Sequence, residues 1–152
     1  MTEPSDVLVV VVTYNERETL PQLVEAVFNS APQVDILVVD DNSPDGTGKW
    51  CEEYARQNPR MHCLQRPAKL GIGSAVAEGL RWAIDQGYRY VITMDADLSH
   101  PPEKIPELLA AIEGSNTTGA DVVIGSRYVK GGTIQGWPWY RYLMSWGINS
   151  FS

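Results

Sequence analysis

The residues best equipped for chemistry are carboxylates that follow apolar runs. Asp95-Ala96-Asp97 comes directly after Tyr90–Met94, a run with strand character. Two carboxylates one residue apart at a strand end can point to the same side. Their hard oxygens suit Mg2+ or Mn2+; Mg2+ commonly takes one or two carboxylates and fills its shell with phosphate and water. Pro101-Pro102 fixes the exit of the chain, which favours a site over a merely solvated acidic turn. Asp40-Asp41 ends a second apolar run, Ile36–Val39. A carboxylate there can accept hydrogen bonds from a base or ribose, or cap the turn that follows. Tyr14 and Glu16 follow the first run, Val7–Val12. The ring could stack on a nucleobase and the carboxylate could accept from one, or Glu16 could simply favour the first turn of a helix. Arg127 follows Val122–Ile124, and Arg141 lies 14 residues on. A planar guanidinium matches phosphate oxygens two at a time, although either arginine could instead pair with a surface carboxylate.

Other candidates carry less. Gly71-Ile72-Gly73 precedes a helical pattern, but Val76 stands where the dinucleotide fingerprint needs a third glycine. Tight packing at a helix start is the preferred reading. His62 and His100 have no visible triad partners; His100 follows the acidic loop and could support it from behind. Cys51 and Cys63 lack metal-site spacing and read as reduced thiols. Asn116-Thr117-Thr118 is a formal glycosylation sequon and reads as chance.

The elements that must position these residues are legible as periodicity. Val7–Val12, Ile36–Val39, Met61–Leu64, Tyr90–Met94 and Val122–Ile124 read as strands, and continuous β-branched runs suit a sheet buried on both faces. Between them, Leu20, Leu23, Val24, Val27 and Phe28 recur at helical spacing. So do Ile72, Ala75, Val76, Leu80 and Ala83 within Gly71–Ile84, and Ile105, Leu108, Leu109 and Ile112 after Pro101-Pro102. A further helix is expected from about Thr47 to Arg56, after the turn-rich Asn42–Gly46, and 115–119 reads as a loop. Alternating strand and helix imply an α/β fold, a mostly parallel sheet with helices on both faces. Ligands in such sheets sit beyond the carboxyl ends of the strands, where the acidic and arginine motifs all fall.

With 152 residues the chain fits a single domain. Its net charge is −7, from 12 basic and 19 acidic residues. No basic run or stripe accompanies that balance, so nucleic acid is not the expected partner. A protein this acidic that handles phosphates must place its few cations carefully or borrow a metal ion. The apolar run Val7–Val12 is far short of the about 20 residues that span a bilayer, and no basic segment precedes it as in a secretory signal; a soluble, cytoplasmic protein is expected. Trp137, Trp139, Tyr140, Tyr142 and Trp146 crowd the last stretch, where a lipid interface or ordinary packing would both suit them. A helical pattern continues to Ser152 without a stop signal, so truncation at the C-terminus is expected.

Four motifs in order carry a family resemblance. They are Thr13-Tyr14-Asn15-Glu16, the run from Asp40 to Thr47, the run from Asp95 to Pro101, and Gly125-Ser126-Arg127-Tyr128. Over about Val7 to Asn149 the chain resembles the inverting A-fold glycosyltransferases of family two, most of all the dolichol-phosphate (polyprenol-phosphate) mannosyltransferases. The resemblance implies the nucleotide-diphospho-sugar transferase fold and transfer of mannose from GDP-mannose to a polyprenyl phosphate with inversion, at the cytoplasmic face of a membrane. It implies that Tyr14, Glu16, Val39 and Asp41 hold the guanosine, with Asp95, Ala96 and Asp97 facing the diphosphate. Asp97 would bind Mg2+ or Mn2+ most directly, with Asp95 and Ser99 nearby. Arg127, Arg141 and Ser145 would receive the acceptor phosphate, and Arg127 would also reach the donor. Val12 departs from the proline common in that branch. A UDP-sugar transferase of the same family and a non-catalytic nucleotide-binding fragment stay open. A phosphoacceptor receiver module would need an acidic pair after the first strand, and a sugar nucleotidyltransferase a glycine-rich basic loop there; both are absent.

Overall fold

The structure is a computed structural model, and it describes residues 5–115 and 121–126. Elements alternate along the chain: β1 (Val7–Thr13), α1 (Leu20–Ser30), β2 (Asp35–Asp40), α2 (Thr47–Ala55), β3 (Met61–Gln65), α3 (Ile72–Gln86), β4 (Tyr90–Asp95) and α4 (Ile105–Ser115). The four strands form one sheet in the order β3-β2-β1-β4, with every pairing parallel. The chain separates into two compact units, 1–110 and 111–152, and the sheet lies wholly in the first.

β1 is apolar up to its last residue, Thr13, because both of its faces are covered. Val7, Val9 and Val11 pack on one side with Leu20, Leu23, Val24 and Val27 of α1, Cys51 of α2, and Ile105 and Leu109 of α4. Leu8 and Val10 pack on the other with Leu37 and Val39 of β2 and with Ala75 and Ala83 of α3. Each fully buried Val or Leu contributes about 1.5–3 kcal/mol relative to exposure. Helices therefore lie on both faces, as the alternation of elements requires. Cys51 and Cys63 are free thiols.

The structure departs from the sequence reading in three places. α3 does not seat its large apolar residues on the sheet: Ile72 and Leu80 are 62% and 38% exposed, while Ala75, Gly79 and Ala83 are buried. The helix comes too close for anything larger, since a Cβ on Gly79 would fall 2.5 Å from Val10 Cγ1. Nor does 122–124 form a strand; Val122 and Ile124 are 72% and 80% exposed. Three residues are short for a strand, and among the described residues this run has no ladder partner. The helix expected at Pro101-Pro102 begins instead with a 3₁₀ turn at Pro102–Lys104 before α4. Among the described residues no helix is long and apolar enough to cross a membrane.

Candidate active site

β1 lies between β2 and β4, so the chain leaves it on one side and returns on the other. That reversal opens a crevice at the carboxyl ends of the strands. Val12 pairs in register with Val39 on one side and Asp95 on the other. Two residues further along each chain, Tyr14 and Asp97 are thereby brought to one cleft of about 250 Å³. Thr13, Tyr14, Glu16 and Asp41 line it on the β1–β2 side, Asp95, Ala96 and Asp97 on the β4 side, and Lys69, Gly71 and Ile72 where β3 leads into α3. An adjoining hollow of about 400 Å³, lined by Asn15, Glu16, Arg17, Glu18, Thr19 and Asp45, shares Glu16 with it.

The β2 end is tightly knit. Asp40 is buried and accepts from the Thr13 hydroxyl at 2.8 Å, the Ser43 amide at 2.9 Å and the Ser43 hydroxyl at 2.6 Å. Asp41 is buried too. Its Oδ1 pairs with Arg66 Nη1 at 2.5 Å, and its Oδ2 accepts the amides of Leu70 at 3.0 Å and Gly71 at 2.9 Å. Both oxygens of Asp41 are therefore engaged, and its carboxylate fixes the wall that carries Lys69. Arg66 also gives Nη2 to Ser74 Oγ at 2.7 Å, and its Nε lies 3.0 Å from Glu78 without a well-aligned hydrogen bond. The turn after β2 docks the Tyr14 loop: the Asn15 amide donates to Ser43 Oγ at 2.9 Å, and the Glu16 amide to Thr47 Oγ1 at 3.0 Å. Burial pushes the Asp45 carboxyl up, but hydrogen bonds from the Thr47 hydroxyl and amide and the Arg17 amide outweigh it and hold the group below the usual range.

The β4 end is open. Asp97 Oδ1 accepts the Ser99 amide at 2.9 Å, and the Ser99 hydroxyl and amide hold its carboxyl below the usual range. The Asp95 side chain is about half exposed; its own amide donates to His100 Nδ1 at 3.1 Å, so His100 supports the loop from behind. Among the described residues no three His, Cys, Asp or Glu side chains converge as a metal site. Two accessible carboxylates with the Ser99 oxygen nearby fit a hard cation that takes the rest of its ligands from phosphate and water.

The structure brings some of the residues expected from the sequence together and not others. Tyr14, Glu16, Asp41, Asp95, Ala96 and Asp97 share the cleft. Val39 does not line it; its side chain is fully buried beneath α3. Glu16 turns its carboxylate to the Thr19 hydroxyl at 2.6 Å. Arg127, Arg141, Ser145 and the Trp-rich stretch lie outside the described residues. Gly71 and Gly73 are not set by packing, since nothing lies within 4 Å of a Cβ at either; Gly71 is needed for its φ of +94°. His62 stands at the far end of the sheet, against Tyr88 and Trp82, where burial holds it below its ordinary value.

Two residues went unnoticed in the sequence. Lys69 Nζ lies 3.7 Å from the centre of the Tyr14 ring, a cation–π contact, and Arg66 anchors Asp41. Both follow β3, and two cations after a strand in so acidic a chain were the available signal. The backbone adds three more. Asn15, Asn42 and Leu98 have φ of 61°, 57° and 61°. Asparagine tolerates that region; leucine there costs about 1–2 kcal/mol.

The glycosyl transferase family 2 model matches residues 8–151. The chain is 49% identical over 146 residues to polyprenol monophosphomannose synthase of Mycolicibacterium smegmatis, covering 95% of this chain and 54% of that protein. It is 46% identical to undecaprenyl-phosphate mannosyltransferase of Micrococcus luteus, covering 92% and 56%, and 43% identical to dolichol-phosphate mannosyltransferase of Pyrococcus furiosus, covering 93% and 38%. The chain thus spans about half the length, or less, of these relatives. The fold is shared with the mannosyltransferase PcManGT of Pyrobaculum calidifontis, solved with GDP-Man and Mn2+, at a TM-score of 0.53 and 24% identity over 72% of this chain and 33% of that one. It is shared also with TarS of S. aureus, at a TM-score of 0.61 and 20% identity over 81% and 40%. The sheet order, the crevice between β1 and β4 and the extent of these matches agree: this chain has the GT-A fold and belongs to glycosyl transferase family 2.

Proposed function

We propose that the chain supplies the donor-binding half of a polyprenyl-phosphate mannosyltransferase that takes mannose from GDP-mannose with inversion. The observation that carries this is the cleft between β1 and β4, with Tyr14 and Lys69 facing Asp95 and Asp97, in a chain 49% identical over 146 residues to a polyprenol monophosphomannose synthase. In this reading Tyr14 and Glu16 border the guanosine, while Asp41 with Arg66 holds the wall beside it and Val39 supports that wall from the core. Asp95 and Asp97, with Ser99 beside them, would hold Mg2+ or Mn2+, whose charge offsets that developing on the departing diphosphate. Lys69 adds a fixed cation on the opposite wall. The acceptor phosphate oxygen attacks the anomeric carbon from the face opposite the diphosphate, which inverts that carbon. A phosphate is already anionic near neutral pH, so the step needs no general base. Arg127, Arg141 and Ser145 would receive that phosphate, and Arg127 would also reach the donor. The place of action would be a membrane surface, where such an acceptor resides.

Calorimetric titration of GDP, UDP, ADP and GDP-mannose, with and without Mn2+, tests the reading. Metal-dependent binding confined to GDP and GDP-mannose is expected. Preference for UDP would move the chain to another branch of the family, and absence of nucleotide binding would end the proposal for this chain.

A further inference from the structure

We propose that Lys69 selects the base of the donor, donating to O6 and N7 at the edge of a guanine that stacks on Tyr14. The inference rests on the GDP-mannose reading of the cleft and assigns a residue to the choice of base.

Lys69 is an exposed cation in a cleft that also holds Glu16, Asp41, Asp95 and Asp97. Among the described residues it forms an ion pair with none of them. Its ammonium lies instead over the Tyr14 ring, 3.7 Å from the centre. Asp41 is already engaged by Arg66 and by the amides of Leu70 and Gly71, the two residues that follow Lys69. Those amides fix the root of the lysine, while its four-carbon stem lets the head turn.

The position of the ammonium ties it to a base. Both side chains line the cleft, so the ammonium stands where a ligand in the cleft would meet the ring. A base stacked there lies about 3.5 Å above the ring, the contact distance of carbon atoms. The ammonium is therefore close to the plane that the base takes, and acceptors on a base edge accept in that plane. A sideways shift exchanges the ring for the edge. The exchange is favourable, because a charge-assisted hydrogen bond outweighs an exposed cation–π contact. Guanine presents O6 and N7 side by side, the pair that a lysine at a base edge most often meets. Adenine keeps N7 but carries an amino donor at position 6, which an ammonium cannot use. Glu16, in the same cleft, is an acceptor and suits the N1 and N2 donors of guanine.

Calorimetry on the whole chain with Mn2+ and GDP, inosine diphosphate or ADP tests the assignment. The three ligands share ribose and diphosphate. GDP and inosine diphosphate also share O6 and N7, whereas ADP has the amino group. The wild type should bind the first two more tightly than ADP. Lys69→Met keeps the stem and removes the charge. It should weaken GDP and inosine diphosphate roughly tenfold each and leave ADP at its wild-type affinity. Lys69→Arg, whose guanidinium also reaches an O6–N7 pair, should keep the preference. Equal weakening of all three ligands in Lys69→Met would put the charge on the diphosphate or give it a merely structural role, and would overturn the inference. A wild type that binds none of the three, or that prefers ADP, removes the GDP-mannose reading itself. A wild type that prefers GDP, with a Lys69→Met protein that prefers it as strongly, removes the role of Lys69 alone.

Discussion

The ends of β2 and β4 carry the same residue type and use it in opposite ways. At the end of β2, Asp40 and Asp41 are 1% and 3% exposed, and every one of their carboxylate oxygens has a protein partner. At the end of β4, Asp95 is half exposed and, among the described residues, Asp97 accepts hydrogen bonds only from Ser99. Buried carboxylates must be paired, because an unpaired charge out of water is very costly. Accessible ones that the protein leaves underused keep their capacity for a ligand. The β2 aspartates thus hold two loops in place, and the β4 aspartates are left free to face what those loops enclose.

The strongest way to break this contrast is to remove Arg66. Asp41 would keep its two amide partners and lose its counter-charge, with both side chains of the pair about 96% buried. Arg66→Ala should lower folding stability by about 3–5 kcal/mol, the usual consequence of stranding a buried charge. Chemical denaturation measures it directly. A loss below 1 kcal/mol would mean that the β2 end is as open as the β4 end.

The converse change is at Asp97. Asp97→Ala should move stability by no more than about 0.5 kcal/mol, as surface substitutions usually do. It should nevertheless remove most metal-dependent nucleotide binding, and reduce any transfer by about 10²–10³-fold, the scale typical of losing one electrostatic stabiliser at a reacting centre. Calorimetry with Mn2+ and a transfer assay read the two parts separately. An Asp97→Ala protein that binds GDP-mannose with Mn2+ normally would return the β4 carboxylates to the status of a solvated turn.

The sequence made one half of this contrast legible and concealed the other. Asp95-Ala96-Asp97 announced itself because the chemistry lies in the residue types and the strand that precedes them. Asp41 looked equivalent, since nothing local says that Arg66, 25 positions on, consumes one of its oxygens. Long-range pairing is a property of the sheet, which brings the ends of β2 and β3 side by side. Three of the four strands were visible as runs rich in β-branched residues and β3 only as the short run Met61–Leu64, whereas 122–124 matched in composition but did not form a strand. The face of α3 was misread for a related reason. Hydropathy favours Ile72 and Leu80 as the buried side, but the distance between helix and sheet is set by Gly79 against Val10.

Glycine substitutions sharpen the comparison at smaller scale. A Cβ on Gly48 would lie 2.9 Å from both Asp40 Oδ2 and Gln65 Cδ, so Gly48→Ala must push the packed β2 end apart. A cost of about 1–3 kcal/mol is expected for such overpacking. Gly73→Ala, with nothing within 4 Å of the new Cβ, should be neutral or slightly stabilising in its helix. Thermal melts of the pair would show whether tightness belongs to the β2 end or to the whole edge of the sheet.

The smallest effect lies at Asp45, on the exposed side of the same turn. Its carboxyl is held below the usual range because Thr47 and Arg17 donate to the ionised form more than burial opposes it. A group whose folded pKa is depressed stabilises the fold above its unfolded pKa, near 3.8 here, and loses that contribution as pH falls through the folded value. Asp45→Asn should therefore be slightly less stable than the wild type at neutral pH, and the gap should close as the pH drops below about 4. Parallel denaturation curves across that range decide it. A gap that persists at low pH would show that the Asp45 hydrogen bonds act through geometry alone; one that closes would show that its charge helps hold the Tyr14 loop against the β2 turn.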